Sequence, residues 1–233
     1  MKYLVIIPAF NEEKTIGHVI AEAQKNMPYS DILVINDGST DGTRTAAASR
    51  KVTVVNHPFN LGYGAALQTG FRFAVKEGYD FVITMDADGQ HVSSSAGSLK
   101  DVMSKSSADV VIGSRFTGQG YKIGILRRIG ITLFSMIAKA YTGVVITDPT
   151  SGFQLINKNA FSYLAEEDNY HLDYPDVNII MALHKKNFKV VEAPVAMKEN
   201  TFGKSMHSGF MPVFYVIKMV LAIIMVLVRG RGR

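Results

Sequence analysis

The strongest constraint on this chain is the alternation of short, wholly apolar runs with amphipathic stretches through its first half. Tyr3 to Ile7, Ile32 to Ile35, Val52 to Val55, Phe81 to Thr84 and Val110 to Ile112 have strand length and little internal polarity. Helical patterns lie between them, from near Glu12 to about Lys25 and from Tyr63 to Lys76. Runs without a polar face suit strands buried on both sides, and their alternation with helices predicts βαβ units around a mostly parallel sheet. The expected class is therefore α/β, Rossmann-like, with helices on both faces. Each run ends in polar or glycine residues, and open sheets of this type bind ligands at the carboxyl ends of their strands.

The second half differs. Tyr121 to Tyr141 reads as a two-faced helix, with Arg128, Thr132, Ser135 and Lys139 on one side and Ile125, Ile129, Leu133, Met136 and Ile137 covering much of the rest. Phe188 to Val195 reads as a late strand. Gly209 to Val228 is the most hydrophobic stretch, broken by Lys218. A spanning helix needs about 20 mainly apolar residues, and a lysine near its middle costs roughly 2.5 to 3.5 kcal/mol. An amphipathic helix lying in the membrane interface is favoured over a spanning or a buried one. Two parts are expected: a catalytic domain over 1–205, containing the 121–141 interface helix, and a membrane-associating helix with a basic tail over 206–233.

Charge sharpens this picture. Residues 1–113 carry 10 Lys/Arg against 12 Asp/Glu, whereas residues 114–233 carry 15 against 8. The basic half calls for an acidic partner, with phosphates and anionic lipid headgroups ahead of nucleic acid, because no aromatic-interleaved basic stripe accompanies the charge. The chain has no cysteine, which excludes disulfides and Cys-based metal sites. The six histidines (His18, His57, His91, His171, His184 and His207) show no metal-ligand spacing. Met1-Lys2 runs directly into Tyr3 to Ile7, too short for a signal-peptide core, so the cytoplasmic face of a membrane is the expected location.

Three strand ends carry chemistry. Asp86-Ala-Asp88-Gly-Gln90-His91 follows a buried strand, and carboxylates at i and i+2 can share one hard cation, or divide between a cation and a sugar or ribose. Mg²⁺ or Mn²⁺ is implied. An Asp-x-Asp-Gly turn is the plainer alternative. Pro8-Ala9-Phe10-Asn11-Glu12-Glu13 follows the first strand and Asn36-Asp37-Gly-Ser-Thr-Asp41-Gly the second. Each also reads alone as a helix cap or a turn. Together, in this order, they describe one crevice with an aromatic wall and acceptors for a base and ribose.

These segments, with Asn60-Leu-Gly-Tyr-Gly64, Gly113-Ser-Arg115-Phe, Thr147-Asp148-Pro-Thr-Ser151-Gly-Phe153 and Gly203-Lys204-Ser205, resemble the family 2 inverting glycosyltransferases of GT-A fold, most of all the polyprenyl-phosphate, dolichol-phosphate-mannose synthase-like branch. The resemblance implies a UDP- or GDP-sugar donor bound by Pro8, Ala9, Phe10, Glu12, Asp37, Asn60, Gly64, Asp86 and Lys204, and a metal held by Asp86, Asp88 and Gln90. It implies a lipid-phosphate acceptor met by Arg115, Arg128, Thr132 and Ser151, at a membrane surface. Asp88, Arg115 and Asp148 are the expected catalytic residues, with Asp148 as base if the acceptor is a sugar hydroxyl. A homo-oligomer or an integral-membrane partner is compatible with this pattern; the rivals are a nucleotidyltransferase, disfavoured because Pro8-Ala-Phe-Asn-Glu12 stands where that class puts a glycine-rich basic loop, and a non-catalytic adaptor. Asn36, Gln154 and Asn200 depart from the usual pattern, the latter two removing positive charge for which Lys198 or Lys204 could compensate.

Overall fold

The computed structural model describes residues 1–117, 125–170 and 176–198. Seven strands form one sheet in the order β3-β2-β1-β4-β6-β5-β7. The strands are β1 (Tyr3–Ala9), β2 (Ser30–Asn36), β3 (Thr53–Asn56), β4 (Phe81–Thr84), β5 (Val110–Ser114), β6 (Gln154–Asn157) and β7 (Val190–Pro194). All pairings are parallel except those of β6, which runs antiparallel to both β4 and β5. The α/β class with a mostly parallel sheet is thus as the sequence predicts.

Period-two alternation builds the two cores. Val5, Ile7 and Ala9 of β1 face one layer, with α1 (Ile16–Asn26), α2 (Thr43–Ala48) and α4 (Ala96–Ser106). Leu4 and Ile6 face the other, with α3 (Tyr63–Lys76), α6 (Lys158–Ala165) and α7 (Val177–Lys185). Each fully buried Leu or Ile contributes roughly 1.5–3 kcal/mol relative to an exposed one, so a one-residue register slip that exchanged the layers would be heavily penalised.

Chain order leaves β1 for β2 and β3 and returns to β4 on the other side of β1. That reversal is a topological switch point, and the crevice above it receives the ends of β1, β2 and β4. Because β6 is antiparallel, its start rather than its end lies at that same edge: Gln154 pairs with Thr84 and with Ile112. The Ser151-Gly152-Phe153 turn is delivered there in consequence. Two polar residues flank the two apolar ones of β6, too little pattern to mark a strand in advance.

Helix α5 (Ile125–Thr142) packs Phe134 and Ala138 against Val177 and Met181 of α7. Arg128, Thr132 and Lys139 are exposed beside Leu133 and Met136. Ser135 is half-buried and donates its hydroxyl to the Ile146 carbonyl. Among the described residues no helix is long and apolar enough to cross a membrane. The expected 206–233 helix and Lys204 lie outside the described residues.

Candidate active site

The loops after β1 and β2 are laced together. Asn11, with φ of 57°, donates its N–H to Ser39 Oγ and accepts from Thr40 N–H through Oδ1. Glu12 N–H donates to Thr43 Oγ1 at 2.8 Å, and Gly42 N–H to Glu13 Oε2 at 2.9 Å. Asp41 is pushed up by burial, but donation from the Thr43 hydroxyl and from the Thr43 and Glu13 amides outweighs this and holds its pKa below the ordinary value. The same loop carries Phe10, exposed at the strand end. Pro8 and Ala9, expected at the nucleoside, are instead buried within β1, Ala9 in the core.

Asp37 is 3% exposed. Its Oδ1 accepts from Leu61 N–H and contacts His57 Nδ1 at 2.7 Å, and its Oδ2 accepts from Gly62 N–H. In this state Asp37 shapes the loop carrying Asn60, while Gly64 is buried in the first turn of α3. Gly38 makes the contact possible: with φ of 68°, a Cβ there would lie 2.3 Å from the Phe59 carbonyl carbon. Asn36 donates to Asn56 Oδ1 and accepts from Ser39 N–H. An aspartate could accept in this way but could not donate.

The Asp-Ala-Asp segment meets the other two loops. Asp88 Oδ1 accepts from Gln90 N–H at 2.9 Å, closing its own turn. Asp86 is held from two sides: Tyr63 Oη donates to Oδ1 at 2.8 Å, and His91 Nε2 faces Oδ2 at 3.6 Å. Asp86 N–H donates to His91 Nδ1 at 3.2 Å, which assigns the proton of a neutral imidazole to Nε2, toward the carboxylate. His91 also stacks on Phe153, centroids 5.3 Å apart. Tyr63 is partly exposed as a residue, and burial around its hydroxyl with the Asp86 charge raises the phenol well above its usual range. Gly152 presses on the same spot: a Cβ would sit 2.5 Å and 2.7 Å from the Asp86 oxygens.

The electrostatics favour a cation. Burial raises the Glu12 carboxyl; Thr15 Oγ1 donates to it at 2.7 Å and partly offsets this, and the charges of Asp88, Asp41 and Asp86 raise it further. Oxygen donors of this kind suit Mg²⁺ or Mn²⁺, which commonly take only one or two protein carboxylates and complete their shell with phosphate and water. Among the described residues no three His, Asp or Glu side chains form a ready-made metal cage. Asp86 and Asp88 are oxygen donors that fit an ion whose remaining positions are taken by phosphate and water. Gln90 lies in the same turn, its carbonyl accepting from Lys198 N–H at 2.8 Å.

Arg115 and Asp148 are brought together, and away from solvent. Arg115 Nε and Nη2 each donate to Asp148 at 2.6 Å, the pair being 4% and 0% exposed. Glu192 of β7 fixes the loop beneath, accepting from Asp148 N–H at 2.7 Å and from Thr147 Oγ1 at 2.9 Å. Burial raises the Glu192 carboxyl, and those donors partly offset it. A general base needs an accessible oxygen, whereas both oxygens of Asp148 are spent on Arg115. The phosphate contact expected of Arg115 likewise meets a guanidinium buried against a carboxylate. Ser151 is buried too, its Oγ within its own turn.

Arg128 and Thr132 lie exposed on α5. Lys198, a candidate to replace missing positive charge, is bound to Glu22 of α1 at 2.6 Å, and Gln154 donates to the Ser151 carbonyl. Tyr63, Gly152 and Glu192 are the contributors that motif reading passed over. Tyr63 and Gly152 stand inside quoted motifs but without a role there; Glu192 has no local signal, since its partners are 44 and 45 residues away.

The glycosyl transferase family 2 profile matches residues 4–164. The undecaprenyl-phosphate mannosyltransferase of Micrococcus luteus is 29% identical over 220 residues, covering 90% of this chain and 88% of that protein. The polyprenol monophosphomannose synthase of Mycolicibacterium smegmatis is 30% identical over 219 residues, covering 88% and 81%. The glucosyl-3-phosphoglycerate synthase of Mycobacterium tuberculosis superposes with a TM-score of 0.72 at 17% identity, over 95% of this chain and 80% of that one. The sheet order, the crevice at its switch point and these matches together establish that the chain belongs to glycosyl transferase family 2.

Proposed function

We propose that this glycosyltransferase moves a sugar from a nucleoside-diphosphate donor to a polyprenyl phosphate at a membrane surface, with a divalent ion. The observation that carries the proposal is the convergence of Glu12, Asp41, Asp86 and Asp88 on one crevice where Asp86 is already oriented. The relatives named for polyprenyl-phosphate mannosyl transfer support the acceptor class. Complexes of the tuberculosis synthase with Mn²⁺ and UDP-glucose support the donor and ion classes.

Phe10 offers a face to the base, and Asp37 with the Asn60 loop forms the floor beneath it. Asp86, Asp88 and Gln90 would hold the ion, which when bound neutralises charge on the departing diphosphate. Arg128 and Thr132 orient the acceptor phosphate. An oxygen of that phosphate forms the new bond to the anomeric carbon as the bond to the diphosphate breaks on the opposite face, and the nucleoside diphosphate leaves. The phosphate is already ionised at neutral pH, so no side chain need remove a proton. Asp148, clamped by Arg115, fixes the loop rather than receiving a proton, which weighs against a hydroxyl acceptor served by Asp148. Leu133, Met136, Val144 and Val145 are exposed on α5 and the turn after it, near exposed Arg128 and Lys139. An apolar surface with basic neighbours supports contact with an anionic bilayer.

The test is incubation with UDP-glucose or GDP-mannose, Mn²⁺ and undecaprenyl phosphate, with the lipid product identified by mass. A glycosylated lipid and nucleoside diphosphate released only in its presence are expected. Donor binding without turnover, or release independent of the lipid, would overturn the proposal.

A further inference from the structure

Asp86 can serve a diphosphate or an ion only if its carboxylate is presented in one orientation, yet it shares the surroundings of Glu12 with Asp88 and Asp41, all of like charge. Something neutral must hold it. We propose that Tyr63 is a positioning residue of the donor site, acting through Asp86; this rests on the donor-site reading above. Gly62, with φ of 97°, turns the chain so that Tyr63 opens α3. From there its hydroxyl reaches Asp86 Oδ1 at 2.8 Å. Gly152 closes the third side, leaving no room for a Cβ beside either the carboxylate or the phenol oxygen, which would lie 2.7 Å from it. Tyr63, His91 and the Gly152 backbone thus bracket one carboxylate before any ligand arrives.

Such preorganisation lowers the ordering cost of binding for the group it fixes and leaves other subsites untouched. Tyr63→Phe removes one oxygen and keeps the ring. It should weaken Mn²⁺-dependent binding of UDP-glucose or GDP-mannose, whichever the wild type takes, by about 10-fold or more, the lower end of the usual worth of a hydrogen bond to a charged group. Binding of UMP or GMP without metal should stay within about two-fold, because neither needs Asp86 presented to a diphosphate. Gly152→Ala would crowd both oxygens of the same carboxylate and the Tyr63 hydroxyl and should give the same signature, so a poorly folding variant at one position leaves the other decisive. Calorimetric titration with these probes reads both. Donor affinity unchanged in both variants overturns the inference alone. Equal loss of monophosphate binding also overturns it, since Tyr63 would then be supporting the whole loop. Wild-type protein that binds neither donor overturns the donor-site reading and the inference together.

Discussion

Replacing Arg115 with methionine removes the two 2.6 Å hydrogen bonds to Asp148 while filling similar space, and strands a carboxylate that has no solvent exposure. Breaking one half of a buried pair costs about 3–5 kcal/mol, most of it the penalty of the charge left behind. For a chain of this size each kcal/mol lowers Tm by roughly 2–4 °C, so a fall of about 6–20 °C is expected. Thermal unfolding followed by circular dichroism at fixed salt measures it. Adding Asp148→Leu should recover part of the loss, because two apolar residues of similar volume replace a pair of charges. Recovery stays partial, since the Arg115 N–H also donates to Asp148 at 3.1 Å. A single variant within about 2 °C of wild type, or a double variant no better than the single, would refute the reasoning that this pair is structural before it is catalytic.

Asp88→Ala should abolish metal-dependent donor binding in calorimetry while the protein stays folded, because the substitution removes a carboxylate from the crevice that also holds Glu12 and Asp86 and leaves both apolar cores intact; unchanged donor affinity would contradict this. Asp41 has a pKa lowered on folding, so its contribution to stability is complete above the ordinary 3.8 and is lost as pH falls through the lower folded value. Asp41→Asn should therefore be less stable than wild type near neutral pH, with the gap closing below about pH 4 in denaturant titrations. Arg128→Glu with Lys139→Glu should weaken sedimentation with phosphatidylglycerol vesicles and reduce its salt sensitivity, each basic residue near such a surface contributing about 1 kcal/mol; equal binding to neutral vesicles would argue against an electrostatic component.

The apolar runs that became β1, β2, β4 and β5 were legible because strands buried on both faces must exclude polar residues, and their lengths leave few alternatives. The crevice was legible for a related reason: Asp37, Asp86 and Asp88 follow those strands directly, so chain direction alone puts them at one edge of a parallel sheet. Gly38 was legible as a turn, although only the packed loop shows which backbone it must admit. What sequence could not disclose is pairing over distance. Arg115 and Asp148 are 33 residues apart and each reads as chemistry; only their mutual burial converts them into a brace. Tyr63 meets Asp86 across 23 residues, and Gly152 meets it because β6 runs antiparallel, a reversal its two apolar residues do not announce. Local patterning specifies which elements form and which ends are polar; it is the packing of those elements that decides which carboxylates are spent on neighbours and which remain for a ligand, because that choice depends on contacts whose geometry no stretch of chain contains by itself.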